Sequence, residues 1–147
     1  MIRWRRARDD KTIVELVRTQ LVPISPWQHP GDGRLHTDIV RRLRRGATLV
    51  ASSTLRSPPL GFLHMEFRHP KLFIDLLAVD SRHQGRRLGT QLMHRAENCG
   101  RSRGCTESRV FVDVGNDRAL HFYRRLGYDT LGVISALKAV ELVKPLN

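Results

Sequence analysis

Residues 72–79, LFIDLLAV, constrain the fold more than any other stretch of this chain. Seven of the eight side chains are apolar, the pattern of a strand buried on both faces at the centre of a sheet covered by helices. Asp75 is the one polar member, and alternation places it on the same face as Leu77 and Val79. Directly downstream, HQGRRLGTQLMHRA (83–96) sets Gly85 and Gly89 around Arg86 and Arg87 and then becomes helical in pattern. That helix is expected from about Arg87 to Arg103, closed by Gly104. A helix N-terminus carries unpaired N–H groups and partial positive charge. Strand, glycine-containing turn and helix in that order therefore build either an ordinary turn or a site where backbone amides surround a phosphate. The stretch has neither the Gly-Lys-Ser/Thr of a Walker loop nor the GxGxxG of a dinucleotide fold.

The remaining segments read as follows. Ile2–Arg6 alternates like a short strand, and Asp9 or Asp10 caps an amphipathic helix through Ile13, Leu16, Val17 and Leu21. VPISPWQHPGDG (22–33), with three prolines and two glycines, is loop. Leu35, Ile39 and Leu43 recur at a spacing of four, predicting a helix over Leu35–Arg45 that Gly46 ends. ATLVASS and LGFLHMEF, separated by Pro58 and Pro59, form a hairpin. SRVFVDV is a strand, NDRALHFYRRLG a helix with Asn116 as N-cap, and ISALKAVELV a final long strand that could pair at a dimer edge. The sum is one α+β domain over 1–147 with a mixed sheet.

Composition narrows the function. A formal charge of +12 favours anionic partners: nucleic acid, an acidic peptide or a polyphosphate ligand. Only Lys11, Lys71, Lys138 and Lys144 are lysines, so the charge is carried by arginine. No helix-turn-helix or aromatic RNA-binding motif accompanies it, so a nucleic-acid partner is not expected. No apolar run reaches the length of a membrane span, and MIRWRRARDD lacks the apolar core of a secretory signal, so a cytoplasmic protein is expected. Cys99 and Cys105 lie in or beside one helix without partners at metal-ligand spacing; they are expected to be free thiols, with no metal site.

HQGRRLG followed by NDRALHFYRRLGY (116–128) resembles the GNAT superfamily of acetyl-CoA-dependent N-acetyltransferases. The family's Asn-x-x-Ala-x-x-Phe-Tyr-x-x-x-Gly-Phe/Tyr motif is matched at Asn116, Ala119, Phe122, Tyr123, Gly127 and Tyr128. Its Gln/Arg-x-x-Gly-x-Gly/Ala motif is matched at Gln84 and Gly89, with Arg87 where glycine is usual; a non-glycine residue there is expected to keep φ negative. The resemblance implies a mixed, mostly antiparallel central sheet of about six to seven strands flanked by about four helices. It implies that acetyl-CoA is a co-substrate and that its acetyl group passes to a primary amine by direct attack in a ternary complex; the alternative is a CoA-binding sensor or interaction module without turnover.

The same resemblance assigns residues. The pyrophosphate falls to Gln84, Gly85, Arg86, Arg87, Leu88, Gly89 and Thr90, and the pantetheine and acetyl carbonyl to the main chain of Leu77, Ala78 and Val79. Asn116, Ala119 and Phe122 lie on the cofactor side, and Tyr123 is the acid that protonates the departing thiolate, unless its ring merely packs the helix on the sheet. Asp75 is either the base that handles the amine's proton or half of a buried pair with an arginine; Glu66 and His64 are reserve candidates. The acceptor is expected beside 22–33, near Trp27, His29 and Arg34, and the arginine surplus favours an acceptor with an anionic part.

Overall fold

The computed structural model describes residues 1–21 and 34–147. Among these, seven strands form one sheet: β1 (Ile2–Trp4), β2 (Ala47–Ala51), β3 (Gly61–Arg68), β4 (Lys71–Val79), β5 (Glu107–Asp113), β6 (Asp129–Ile134) and β7 (Ala139–Pro145). Their spatial order is β1-β2-β3-β4-β5-β7-β6. The described α-helices are α1 (Asp10–Leu16), continued by a π-helical stretch Val17–Leu21, α2 (Leu35–Leu43), α3 (Leu88–Ser102) and α4 (Asp117–Arg125). Neighbouring strands are antiparallel except β4 and β5, which run parallel with α3 as their crossover.

Two apolar cores sandwich the sheet. On one face Leu35, Ile39 and Leu43 of α2 join Ile13, Val14 and Leu16 of α1 over Val50, Phe62, Leu76 and Ala78. Each of the larger side chains, removed from water, contributes about 1.5–3 kcal/mol. On the other face Leu92, Met93 and Ala96 of α3, with Tyr123 of α4, cover Leu63, Met65, Leu72, Ile74, Val110 and Val112.

That β4 serves both cores follows from a bulge. Met65 pairs with Ile74 but His64 pairs with Leu76, so Asp75 has no partner on β3. One extra residue reverses the alternation: Leu72 and Ile74 point to α3, whereas Leu76 and Ala78 point to α1 and α2. Two expectations change accordingly. The strand is not buried on both faces, since 71, 73, 75, 77 and 79 are only half-buried. Nor do Asp75 and Leu77 share a face: Leu77 packs on the α3 side, and Asp75 turns to α2.

Beyond the bulge β4 also leaves β5. Their pairing runs from Lys71 with Glu107 to Ile74 with Val110 and stops there. The wedge between them opens toward the N-terminus of α3.

Two further boundaries depart from the sequence pattern. Residues 134–143 are not one strand: β6 ends at Ile134, Ser135–Leu137 turn, and Lys138 takes φ +50° before β7 begins. β7 lies between β5 and β6, so the outer edge belongs to β6 instead. At the N-terminus, Asp9 makes no capping bond to α1. Its carboxylate accepts from the Arg6 amide at 2.8 Å and from both terminal nitrogens of Arg3 at 2.8 and 2.9 Å. That charged pair is buried and ties β1 to the turn before α1.

Candidate functional site

The turn between β4 and α3 begins at Asp80, whose carboxylate accepts from the Arg82 amide at 3.0 Å. Hydrogen bonds from Arg82 side chain and backbone hold the Asp80 carboxyl down to about 2. Gly85 follows at φ +86° and Arg87, the N-cap of α3, at φ +61°. The expectation of negative φ at Arg87 is therefore wrong. The chain must swing its amides outward before the helix starts, and it does so through a left-handed residue at a cost of about 1–2 kcal/mol for a side chain other than glycine. Among the described residues the amides of 84–90 donate no hydrogen bond; the first to do so is Gln91, to the Arg87 carbonyl at 3.0 Å. Left-handed and helical residues in succession with free N–H groups form an anion-binding concavity. Arg86 and Arg87 stand exposed beside it without an ion pair among the described residues.

Two other residues of this motif serve packing and bracing. Gly89 lies in the first turn of α3, and a Cβ there would come within 3.3 Å of Phe122 Cζ, so the missing side chain lets α4 approach. Phe122 accordingly packs on Gly89. Gln84 Nε2 donates to the Val79 carbonyl at 3.0 Å and to Gln20 Oε1 at 3.1 Å, and its Oε1 accepts from Arg118 at 2.6 Å. It braces the end of β4 against the π-helical stretch and α4.

The wedge between β4 and β5 is a cavity of about 730 Å³ whose lining includes Asp75, Leu77, Val112, Asn116, Ala119 and Tyr123. Asn116 Oδ1 accepts from the Ala119 amide at 3.2 Å and caps α4. Four cations (Arg42, Arg68, Lys71, Arg109) and four acids (Glu66, Asp75, Asp113, Glu141) are among the described lining residues. The arginines there face acids at 2.6–3.2 Å, Arg42 with Asp75, Arg68 with Glu66 and Arg109 with Glu141. The arginine surplus of the chain does not extend into these walls.

The two tyrosines of the second motif differ in kind. Tyr123 is 7% exposed, lies edge-on to Phe122 and Tyr128, and its hydroxyl makes no hydrogen bond among the described residues. Burial pushes its pKa up, so the phenol keeps its proton. Tyr128 is fully engaged: its hydroxyl donates to Glu97 Oε2 at 2.9 Å and lies 2.7 Å from Ser108 Oγ, while Lys144 holds the other Glu97 oxygen at 2.9 Å.

Asp75, Glu66 and His64 come together on the opposite wall. Asp75 accepts two bonds from Arg42, at 2.7 and 2.6 Å, the arginine-pair arrangement weighed from the sequence. His64 is fully buried, with Nδ1 2.8 Å from Thr48 Oγ1 and Nε2 3.8 Å from Glu66 and 3.9 Å from Asp75. Burial lowers its pKa, against the opposing pull of Asp75 and Glu66. Sequence reasoning missed Arg42 and Thr48, which carry no local signal: each meets the cluster only through sheet pairing and helix packing. Ala78 and Val79 lie further along β4 toward the turn. Trp27 and His29 fall outside the described residues, and Arg34 is exposed at the N-cap of α2.

Comparison with known proteins agrees with this geometry. The model of the acetyltransferase (GNAT) family matches residues 11–128. Nourseothricin acetyltransferase is 25% identical over 70% of this chain and 66% of its own, with a TM-score of 0.65. Two other solved structures share the fold. The PaiA N-acetyltransferase of Thermoplasma acidophilum in complex with coenzyme A is 19% identical over 99% of each chain, at a TM-score of 0.77. An aminoglycoside 6'-N-acetyltransferase complexed with coenzyme A is 15% identical over 100% of this chain and 97% of that one, at 0.82. None of the described helices is long and apolar enough to cross a membrane.

Proposed function

Because this chain belongs to the acetyltransferase (GNAT) family, we propose that it transfers the acetyl group of acetyl-CoA to a primary amine by direct attack in a ternary complex. The acceptor is a small molecule or a peptide amine. The observation that carries this reading is a pair of features on one strand: β4 leaves β5 beyond Ile74 to open a cavity lined by Tyr123, and ends in a turn whose amides at 84–90 have no partner among the described residues.

In this reading the pyrophosphate lies on the amides of Gln84 to Thr90, with Arg86 and Arg87 adding charge. The pantetheine follows β4. The Asp80 amide donates to the Leu60 carbonyl just before β3, so alternation turns the Ala78 amide to β3 and the Leu77 and Val79 amides to the wedge. The Leu77 and Val79 amides therefore meet the pantetheine and polarise the thioester carbonyl, while Gln84 holds the Val79 carbonyl. Asn116 and Ala119 border the cofactor from α4, and Phe122 acts through Gly89 by setting the distance between the two helices. Holding both reactants in one wedge converts a bimolecular step into an effectively unimolecular one.

The amine attacks the thioester carbon once its proton has passed to the cluster at the bulge. Asp75 is the acceptor of that proton, with Arg42 fixing its orientation and Glu66 and His64 beside it. The tetrahedral intermediate releases its second nitrogen proton to solvent as it collapses to amide and thiolate. Tyr123, kept protonated by burial, donates its phenolic proton to the sulfur and is reprotonated from solvent.

Release of CoA thiol, measured over a panel of amines, tests the reading together with Tyr123→Phe. The variant should lose about 10²-fold or more in kcat while its acetyl-CoA affinity stays within about twofold. Unchanged kcat would remove Tyr123 from the acid role. Tight acetyl-CoA binding without thiol release for any amine would favour a CoA-binding module instead.

A further inference from the structure

The cluster at the bulge has a feature that acetyl transfer leaves unexplained. His64 Nε2 is buried in a side chain of 0% exposure and has no hydrogen-bond partner. Such an atom costs about 1–3 kcal/mol, and in folded proteins it marks a bound water or ion. It faces Glu66 Oε2 at 3.8 Å and Asp75 Oδ2 at 3.9 Å, too far for hydrogen bonds. One ligand atom from each of the three residues lies within 4.8 Å of the others.

Each of the three atoms keeps a lone pair for a common point. With the Nδ1 proton given to Thr48 Oγ1, Nε2 presents its lone pair, the arrangement in which a metal-bound imidazole is oriented by its second nitrogen. Arg68 donates to Glu66 Oε1, leaving Oε2 without a hydrogen bond. Asp75 Oδ2 accepts one bond, from Arg42 Nε, and retains a second lone pair. Asp75, following Ile74 in ordinary alternation, lies on the same face as Glu66 and His64, at the unpaired position opposite the His64/Met65 step.

We propose that His64 Nε2, Glu66 Oε2 and Asp75 Oδ2 bind a divalent first-row transition ion of the zinc type, with a fourth position open to the cleft. One imidazole nitrogen and two carboxylate oxygens suit such an ion, which sits about 2.0–2.2 Å from each ligand. Tetrahedral placement needs ligand atoms about 3.4 Å apart, so each carboxylate closes on Nε2 by about half an ångström. The two carboxylates, within 4.8 Å of each other, close on one another by up to about 1.4 Å. Glu66 and Asp75 line both the 730 Å³ wedge and a neighbouring cavity of about 360 Å³, and the ion enters there. Arg42 stays on Asp75 as its outer partner and weakens the site by its charge. Ion binding needs no acyl-CoA, so its test is separate from that of the transfer reaction. An ion on Asp75 Oδ2 nevertheless occupies the carboxylate assigned above to the amine's proton, and the two roles exclude each other at one time.

Calorimetric titration of ZnCl₂ into the chelator-treated full chain, without acetyl-CoA, tests it, with Co²⁺ as a spectroscopic probe. Saturable one-to-one binding is expected, with the intense visible absorption of four-coordinate Co²⁺. Glu66→Gln, at the rim, and His64→Gln, in the interior, should each bind at least about tenfold more weakly, with melting curves showing that the variants fold. Absence of saturable binding overturns the proposal. So does equal affinity in wild type and Glu66→Gln, which would put the ion on other histidines or cysteines and leave Nε2 facing water.

Discussion

Replacing Arg87 by glycine and, in parallel, by alanine separates the backbone of the turn from its charge. Arg87 holds φ at +61° directly before α3. Alanine keeps the left-handed penalty of about 1–2 kcal/mol, whereas glycine relieves it. Glycine in turn loses about 0.4–1 kcal/mol through a freer unfolded chain. The glycine variant should therefore be more stable than the alanine variant by about 0.5–1 kcal/mol, or about 1–4 °C in Tm for a domain of this size. Both variants remove the same guanidinium from the amide concavity, so both should lose acetyl-CoA affinity alike, by about fivefold for a loss near 1 kcal/mol. Differential scanning calorimetry and acetyl-CoA titration on the three proteins give both readouts. A glycine variant no more stable than the alanine variant would refute the strain argument. Unchanged affinity in both would refute a role for the Arg87 charge.

Other substitutions probe separate links. Gly89→Glu should abolish acetyl-CoA binding, because its Cβ meets Phe122 at 3.3 Å and its carboxylate enters the phosphate site; a folded variant that binds normally in calorimetry would make the turn purely structural. Tyr128→Phe should cost about 1–3 kcal/mol of stability in denaturant melts by stripping a bond from buried Glu97, with kcat unchanged, the reverse of Tyr123→Phe. His64 has a folded pKa below its ordinary 6.5, so its neutral form contributes stability that is full above pH 6.5 and lost as pH falls toward the lower folded value. It is faced by Asp75, Glu66, Arg42 and Arg5. Melting curves from pH 8 to 5 should fall less steeply in His64→Gln, and an equal fall would sink this assignment.

Much of the fold was legible because it rests on local pattern. The spacing of Leu35, Ile39 and Leu43 did put all three in the core, and Asn116 does cap its helix. The strand, turn and helix around 72–102 lie where hydrophobicity and glycine placed them. What stayed hidden is set by distant partners. The bulge at Asp75 adds a residue relative to β3 and leaves no trace in an apolar run, so the face of every later β4 side chain was misread. Lys138 turns the chain with φ +50° in the sequence SALK, whose left-handed position carries lysine where glycine or asparagine would signal a turn, and one expected strand became a hairpin. Asp9 reads as a cap until Arg3, from another element, claims it.

The acetyl-transfer proposal requires that the free amides at 84–90 receive the pyrophosphate of acetyl-CoA. Calorimetric titration of acetyl-CoA and of CoA at two salt concentrations tests it most directly. Saturable one-to-one binding that persists at the higher salt is predicted, since backbone amides at a helix N-terminus bind by geometry as well as charge. No binding, or binding that vanishes with modest salt, would contradict the claim and leave HQGRRLG as a turn among surface arginines.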